Sequence, residues 1–276
     1  MIVVTGATGN VGTPLVQALV AAGEKVTTVS RRPSETPGHR QADLAEPASL
    51  KPALDGAEAL FLLVGSQLLT GAADPGAILD TAKAAGVRKV VLLSSQGAGT
   101  RPHAPSHGEL RRFESALRSS GLAWTILRPG GFDSNALMWA ESVRTRRTIV
   151  APFGDVGLPL IDPADIAEVA AAVLREPGHE ARVYVLTGPA PVSPRRQAAA
   201  IGAAIGSEVR FLEQSREEAR AQLVQFMPEP VADGTLDILG RPTAEERQVS
   251  PDVERVLGRT GRTFAEWAAR TGAAFR

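Results

Sequence analysis

The first residues of the chain constrain its fold more than any other part of the sequence. The strand-like run Ile2–Thr5 leads directly into Gly6, Gly9 and Gly12, in the spacing G-x-x-G-x-x-G. Apolar residues at helical spacing then extend over Val11–Ala22. A buried strand that turns through glycines into a helix is the opening unit of a doubly wound α/β sheet, and this class of fold is therefore expected.

The remainder of the first 130 residues repeats this alternation of strand and helix. Strands are predicted over Lys25–Ser30, His39–Ala42, Glu58–Val64, Lys89–Ser94 and Trp124–Leu127. Helices are predicted over Pro47–Leu54, Asp74–Ala85 and Ser106–Ser119. This order predicts an α/β fold with a Rossmann-type doubly wound parallel sheet.

The glycine turn also predicts a dinucleotide site. Gly6 and Gly9 let the backbone approach a pyrophosphate, and Gly12 allows close packing of helix on sheet. The N–H groups at the start of the helix then face the anion. The remaining members of the predicted cradle are Thr8, Asn10 and Val11. A tight strand–helix turn uses glycine even without a ligand, but here the turn opens a full strand–helix series.

The end of the second predicted strand indicates which dinucleotide is bound. NAD-binding pockets usually place Asp or Glu there to hold the ribose hydroxyls. This sequence has Arg31 and Arg32 instead, and no carboxylate before Glu35. Guanidinium groups can hold a 2′-phosphate through paired hydrogen bonds. The pair can also be an exposed surface feature, but it favours NADP(H) as the cofactor.

The regular alternation ends after residue 130. A helix is predicted over Phe132–Arg147, a helix over Pro163–Arg175, a strand over Ala181–Leu186 and mainly helical structure from Pro189 onward. We therefore expect residues 1–130, completed by about 163–187, to form an NADP(H)-binding Rossmann core. Residues 131–162 and 188–276 are expected to form a smaller, mainly helical C-terminal substrate-binding region.

Charge and composition argue against several classes of function. Thirty basic residues balance thirty acidic ones, whereas nucleic-acid-binding domains usually carry a basic surface. The chain has no cysteine, and its four histidines lack the spacing of a metal-binding pair, so neither thiolate chemistry nor a metal site is expected. The N-terminus does not resemble a signal peptide, and no apolar run approaches the ~18 residues of a membrane span. We expect a cytoplasmic protein that binds neither nucleic acid nor membranes.

Several motifs together resemble one family. Besides the glycine turn and the arginine pair, they are Asp43-Leu44, the run Ser120–Phe132 (SGLAWTILRPGGF), Asp162–Ala167 (DPADIA), Tyr184–Pro189 (YVLTGP) and Thr263–Ala268 (TFAEWA). These residues resemble the NmrA-like atypical short-chain dehydrogenases/reductases over nearly the whole chain. Many reductases share the glycine turn, whereas the LRPGGF and DPADIA blocks are more diagnostic.

The resemblance implies that NADP(H) lies across the carboxyl ends of the strands. In this arrangement Asp43 and Leu44 would border the adenine, and Val64 and Gly65 would follow the adenosine ribose. The turn from Pro129 to Phe132 would border the nicotinamide. Asp43 can alternatively cap a turn, and Pro129 can belong to a plain loop.

A proton donor common in this superfamily is missing from the sequence. Reductases of this type usually use a tyrosine assisted by a lysine four residues later, and a positioned acid contributes typically ~10²–10⁴-fold. The only tyrosine is Tyr184, and no lysine follows Lys89. The Tyr/Lys pair is therefore absent, as is the lone lysine used by some plant members of the NmrA-like group.

Two side chains are candidates for the catalytic role. Ser95, after the fifth predicted strand, can hydrogen-bond a substrate carbonyl or can simply cap the backbone. His107 can donate a proton near neutral pH, or can be an exposed residue at the start of a helix. Candidate substrate contacts are Gln96, Asn135, Met138 and Trp139, of which the last two fit a protein core equally well.

The leading hypothesis is an NADPH-dependent reductase of an acceptor that needs little help from a protein acid. A quinone stabilises its own reduced form, and a ketone flanked by phenol hydroxyls is polarised internally. Aromatic polyketides of the angucycline type offer both features. The alternatives are a simple quinone oxidoreductase and a non-enzymatic NADP(H) redox sensor that binds a protein partner.

Overall fold

The computed structural model describes residues 1–34, 38–65, 71 and 73–276. Its strands are β1 Ile2–Thr5, β2 Val26–Ser30, β3 His39–Gln41, β4 Ala59–Leu63, β5 Lys89–Leu93, β6 Ala123–Pro129, β7 Thr148–Ala151, β8 Arg182–Leu186 and β9 Arg210–Glu213. Within these residues, seven parallel strands form one sheet in the order β3-β2-β1-β4-β5-β6-β8. The predicted α/β fold with a Rossmann-type parallel sheet is confirmed.

The α-helices come mainly from the connections between strands and from the C-terminal third. They are α1 Gly12–Ala21, α2 Lys51–Leu54, α3 Pro75–Ala84, α4 Gln96–Thr100, α5 Gly108–Ser119, α6 Ala140–Arg146, α7 Pro163–Arg175, α8 Pro194–Ile205, α9 Arg216–Leu223, α10 Glu229–Gly240, α11 Ala244–Arg247, α12 Asp252–Leu257 and α13 Phe264–Thr271. Turns of 3₁₀ helix cover Pro47–Leu50, Pro105–His107, Asp133–Trp139 and Gly272–Phe275. None of the helices in the described ranges has the length and apolar character that a membrane crossing requires.

Helices cover both faces of the main sheet because successive strand residues point to opposite sides. Val3 and Leu60 pack with α2, α3 and α5 on one face. Val4 and Phe61 pack with α1, α7 and α12 on the other. A further core, around Trp267 of α13, joins α6, α8 and the small parallel sheet formed by β7 and β9.

The predicted helix over Phe132–Arg147 is wrong. The segment is a 3₁₀ turn over Asp133–Trp139, followed by the seven-residue helix α6. Its start is held in sheet-like pairing, because Phe132 bridges to Ile161 before the turn begins. Over seven residues, a repeat of three cannot be told from a repeat of 3.6 in the sequence.

The sheet of β7 and β9 is also absent from the sequence prediction. Each strand has four residues, and 58 residues separate Ala151 of β7 from Arg210 of β9. Their register pairs Ile149 with Phe211 and Val150 with Leu212. Strands this short carry no clear alternation of apolar and polar residues, and the helical pattern around them hides their signal.

Candidate cofactor site and active site

The glycine turn lies where the order of the sheet reverses, outside the carboxyl ends of β1 and β4. Doubly wound sheets bind nucleotides at this position. The Thr5 side chain fixes the two strand ends, because its hydroxyl donates to the Phe61 carbonyl oxygen at 3.1 Å and accepts from the Leu63 N–H at 2.8 Å. The turn is thus attached to a rigid edge of the sheet.

The three glycines are needed for different reasons. Gly6 has a φ of +63°, and a Cβ there would lie 2.9 Å from the Leu63 side chain. A Cβ on Gly12 would lie 2.1 Å from the carbonyl oxygen of Gly6, so the turn itself requires this glycine. Gly9 is exposed, and its Cβ would meet only that same oxygen, at 3.3 Å. The protein therefore restricts position 9 less than positions 6 and 12, and the exposed surface there leaves room for a pyrophosphate.

The start of α1 suits an anion. Val11 occupies the N-cap position without a side-chain cap, and the first turn holds no acidic residue. The Thr13 N–H already donates to the Gly9 carbonyl oxygen at 3.0 Å, and residue 14 is a proline, so the positive end of the helix dipole is the main feature of this helix start that favours an anion. Thr8 and Asn10 are exposed beside it, whereas Val11 is buried.

The arginine pair follows β2, and β3 supports its backbone. Gln41 donates to the carbonyl oxygen of Arg31 at 2.9 Å, and His39 Nε2 lies 3.1 Å from the carbonyl oxygen of Arg32. Ser30 donates to that second oxygen at 2.8 Å. Both arginine side chains are exposed at the carboxyl edge of the sheet, and Glu35 lies outside the described residues. The sequence prediction missed His39 and Gln41, although their alternation on one short strand places them on the same side.

The residues assigned to the adenosine lie along the same edge. Asp43 is half-buried, and its Oδ1 accepts from the Ala45 N–H at 3.0 Å, so it does cap a turn. Leu44 and Val64 are buried in the core, and Gly65 is exposed, with open space within 4 Å of the place a Cβ would take. The buried side chains of Leu44 and Val64 therefore lie beneath the exposed surface to which the adenosine is assigned.

The turn from Pro129 to Phe132, which is predicted to border the nicotinamide and is called the nicotinamide-side turn, is connected to the glycine turn. Pro129, the last residue of β6, is buried, and Phe132 packs against the cluster that contains Val11. Between the two turns, Asn10 Nδ2 donates to Ser134 Oγ at 2.7 Å. The two predicted halves of the cofactor site therefore meet.

Ser95 and His107 are both adjacent to Gly97. Ser95 is the N-cap of α4, and its Oγ accepts from the Gly97 N–H at 3.2 Å, while its own proton has no acceptor among the described residues. His107 packs so closely on Gly97 that a Cβ there would lie 2.4 Å from the ring Nε2. The Ser95 hydroxyl can therefore still donate to a substrate oxygen.

His107 is mostly neutral at pH 7 in this environment, so it holds little imidazolium to act as a proton donor. Burial lowers the pKa of His107 below its usual value, and the positive charge of Arg111 lowers it further. Its Nδ1 lies 3.0 Å from Ser106 Oγ. A neutral imidazole at pH 7 can donate or accept a hydrogen bond, but it carries no readily released proton.

Contacts with α11 hold the C-terminal region next to Ser95. Gln96 Nε2 donates to the Glu245 carbonyl oxygen at 3.3 Å, and its Oε1 lies 3.3 Å from the place a Cβ on Gly130 would take. Arg101 makes two bonds of 2.8 Å to the buried carboxylate of Glu246. Gln96 thus joins the nicotinamide-side turn to the C-terminal region.

The other predicted substrate contacts differ in exposure. Asn135 is exposed, and the Met138 side chain is 70% exposed. Trp139 is half-buried and packs against the core around Trp267. Asn135 and Met138 are therefore accessible to a ligand, and Trp139 contributes mainly to packing.

Tyr184 and Lys89 lie away from this edge. The Tyr184 phenol bonds His179 Nδ1 at 2.8 Å, on the segment that precedes β8. Lys89, the first residue of β5, donates from Nζ to the carbonyl oxygens of Val173 and Glu176. Lys89 is thus engaged at the amino end of β5, opposite the cofactor edge, and the Tyr184 phenol, in the middle of β8, is bonded to the segment that precedes its own strand.

One buried acid in the site region was not predicted. Asp133 follows Phe132, is fully buried, and neither of its carboxyl oxygens has a hydrogen-bond partner in the described residues. In a predicted helix its position would be the first turn, where carboxylates are common, so no local pattern indicates its burial. No group of three or more His, Cys, Asp or Glu in the described ranges is arranged to hold a metal ion.

Comparisons with known proteins place the chain among dinucleotide-binding reductases. A family described as NAD(P)H-binding matches residues 6–177. A (4-alkanoyl-5-oxo-2,5-dihydrofuran-3-yl)methyl phosphate reductase of Streptomyces griseus is 36% identical, over 100% of this chain and 99% of that protein. An NAD(P)H azoreductase of Xenophilus azovorans is 35% identical, again over 100% of this chain and 99% of that protein.

A solved structure resembles the whole chain. The NADPH-dependent quinone oxidoreductase of Escherichia coli, in complex with NADPH, superimposes with a TM-score of 0.83. It is 29% identical and matches 98% of this chain and 99% of that one. The similarity covers both the Rossmann core and the C-terminal region.

Proposed function

The chain belongs to the NAD(P)H-binding family, as an NmrA-like atypical short-chain dehydrogenase/reductase, and from this premise we propose that it reduces conjugated aromatic or quinonoid substrates with NADPH. The observation that carries the proposal is the position, relative to the cofactor edge, of the side chains that could donate a proton to the substrate. The carboxyl edge of the sheet offers the Ser95 hydroxyl and a neutral His107, while the Tyr184 phenol is bonded to His179 and Lys89 is engaged at the amino end of β5. The substrate must therefore stabilise by itself the negative charge that it gains with the hydride, because no strong acid of the protein is placed to neutralise that charge.

The chain's own residues account for the binding of NADPH, which supplies the hydride. The open surface at Gly9 and the start of α1 would hold the pyrophosphate. Arg31 and Arg32 would hold the 2′-phosphate. Asp43, Leu44, Val64 and Gly65 would line the adenosine, and Pro129 to Phe132 would border the nicotinamide.

Substrate binding is assigned to residues 131–162 and 188–276. Ser95 would donate its hydroxyl proton in a hydrogen bond to the oxygen that gains charge. Gln96, Asn135 and Met138 would orient the ring over the cofactor, which is the main contribution we assign to the protein. The final proton would come from the substrate's own phenol or from water.

The names of the similar enzymes fit this requirement. A quinone, an azo compound and a 5-oxo-2,5-dihydrofuran with an alkanoyl group are all conjugated acceptors that spread added charge over several atoms. Within the class, we propose a ring ketone or quinone of an aromatic polyketide, angucyclines included, as the substrate of this chain. That these relatives are named reductases favours an enzyme over a redox sensor.

The proposal predicts a specific pattern of substrates. NADPH oxidation, followed through the loss of its near-ultraviolet absorbance, is expected with quinones and with polycyclic ketones that carry a neighbouring phenol. Methylating that phenol is expected to slow a ketone by ~100-fold, in the range of a lost general acid, but to leave binding intact. A quinone serves as the control, because it is indifferent to the methyl group. Rapid reduction of unactivated aliphatic ketones, with no turnover of quinones or phenolic ketones, would contradict the proposal.

A further inference from the structure

Asp133 is a buried acid that the proposed chemistry does not use. Its side chain is 0% exposed, and both carboxyl oxygens are without a hydrogen-bond partner in the part of the chain the structure describes. Buried polar atoms are nearly always hydrogen-bonded, and an isolated buried carboxylate is strongly unfavourable. Asp133 therefore requires an explanation.

Two other carboxylates act electrostatically on Asp133. Asp162 and Asp165, at the start of α7, both act on it, and Arg270 of α13 opposes them. Arg270, however, is bonded to Asp162 Oδ2, while Asp162 Oδ1 accepts from the Ala164 N–H at 2.9 Å. The cation that acts on Asp133 is thus already paired with another acid.

The remaining cations of this region are paired as well. Arg259 donates to Asp165 at 2.7 Å and to Glu168 at 2.5 Å. Arg262 bonds the same two carboxylates, through its backbone N–H to Asp165 at 2.6 Å and its guanidinium to Glu168 at 2.6 Å. An ionised Asp133 would add an uncompensated negative charge beside Asp162 and Asp165, which is the costly case for a buried charge.

The backbone at Asp133 holds part of the cofactor site. Its N–H donates to the Ile161 carbonyl oxygen at 2.9 Å, and the Ile161 N–H donates to Gly131 at 2.8 Å, which ties the nicotinamide-side turn to the start of α7. On either side, Phe132 packs with the cluster that contains Val11, and Ser134 accepts from Asn10. A displacement of Asp133 would therefore move groups that contact both halves of the NADPH site.

We propose that Asp133 is a positioning residue that keeps the segment from Gly131 to Ser134 in its NADPH-binding arrangement only as a neutral carboxylic acid. The inference depends on NADPH as the cofactor and not on the identity of the substrate. Burial, followed by the charges of Asp162 and Asp165, raises the pKa of Asp133 to about 8. The acid is therefore neutral at pH 7 and ionises in the mildly alkaline range.

The direction of the pH dependence follows from this shift. An unfolded chain releases the Asp133 proton near its ordinary pKa of 3.8, whereas the folded chain keeps it up to about pH 8. Between these two pH values the folded state binds one more proton than the unfolded state, so unfolding releases the Asp133 proton. The ionisation of Asp133 alone therefore raises the unfolding constant by about tenfold for each pH unit. Above pH 8 the folded protein ionises, and the NADPH dissociation constant is expected to rise about tenfold by pH 9.

The test compares the wild type with Asp133→Asn, which is neutral at every pH and similar in shape. Asp80→Asn, at an exposed position of α3, is the matched control. NADPH dissociation constants by fluorescence and urea unfolding are measured between about pH 5.5 and 9.5. We expect Asp133→Asn to bind NADPH with constant affinity above pH 8 and to lose the tenfold-per-unit slope of its unfolding constant. The control is expected to keep the wild-type behaviour in both measurements.

Equal pH profiles for the wild type and Asp133→Asn, or a wild-type NADPH affinity that does not change between pH 7 and about 9.5, would overturn the proposal. Infrared spectra of the wild type provide an independent measurement that remains decisive if the variant does not fold. A carbonyl band of a protonated carboxylic acid is expected at about pH 6 and should disappear as the pH passes about 8. The absence of that band at pH 6 would also overturn it. None of these measurements uses a substrate, so they remain valid if the proposed substrate class is wrong.

Discussion

Replacing Gly9 with valine is expected to leave the protein folded and to weaken NADPH binding by at least ~100-fold. The position is exposed and a Cβ there meets only the Gly6 carbonyl oxygen, at 3.3 Å, so a shift of a few tenths of an ångström in the turn accommodates a side chain. The side chain would occupy the surface assigned to the pyrophosphate, and each charge-assisted hydrogen bond lost is worth ~1.5–3 kcal/mol. Isothermal titration calorimetry measures the loss, and circular dichroism measures the fold.

Gly12→Ala is the contrasting variant within the same turn. A Cβ at position 12 would lie 2.1 Å from the Gly6 carbonyl oxygen and 2.7 Å from the Ala7 Cα, so the turn itself must change. We expect Gly12→Ala to lower the melting temperature by more than Gly9→Val does. Normal NADPH affinity in a folded Gly9→Val protein would show that this turn does not hold the phosphates.

Replacing both Arg31 and Arg32 with alanine is expected to weaken NADPH binding by ~3 kcal/mol or more, while NADH binding changes little. The two cofactors differ only in the 2′-phosphate, and hydrogen bonds to a charged group contribute ~1.5–3 kcal/mol each. The control is Arg40→Ala, an exposed arginine on the neighbouring strand β3. Calorimetric titration of each variant with both cofactors provides the measurement.

The comparison of NADPH with NADH distinguishes specific recognition from general charge. Equal losses for both cofactors would show that the pair does not select the 2′-phosphate. A loss of the same size in Arg40→Ala would show that the effect is a nonspecific change in surface potential. Either result would remove the basis for assigning cofactor preference to residues 31 and 32.

The cofactor half of the molecule could be predicted from the sequence because its signals are local. Strand β1 is apolar up to its last residue, the glycines follow at once, and α1 repeats its apolar residues at helical spacing. A parallel sheet then brings all strand ends to one edge, which places Arg31 and Pro129 on the same side as Gly9 without further information. Regular secondary structure and the parallel order of the strands were therefore sufficient to predict the cofactor half of the molecule.

The remainder depended on contacts between distant residues. The charges that act on Asp133, those of Asp162 and Arg270, are 29 and 137 residues away in the sequence, so its environment cannot be read from its sequence neighbours. The support of the Arg32 carbonyl by His39 likewise appears only once β2 and β3 are paired. Helical periodicity also misled the prediction over residues 132–147, where the pairing of Phe132 with Ile161 fixes the backbone at the start of the segment. Long-range packing decided each of these features.

The absence of an indispensable proton donor among the protein side chains is tested most directly by the kcat of acid-deleted variants. Ser95→Ala, His107→Phe and the double variant are assayed with NADPH and a quinone, after folding and NADPH affinity have been checked. We expect each single variant to retain kcat within about tenfold of the wild type, well short of the ~10²–10⁴-fold loss that removal of a general acid causes. The double variant should lose no more than the product of the two single losses. A loss above ~1000-fold in either single variant, with NADPH binding intact, would identify that residue as the acid and contradict the proposed mechanism.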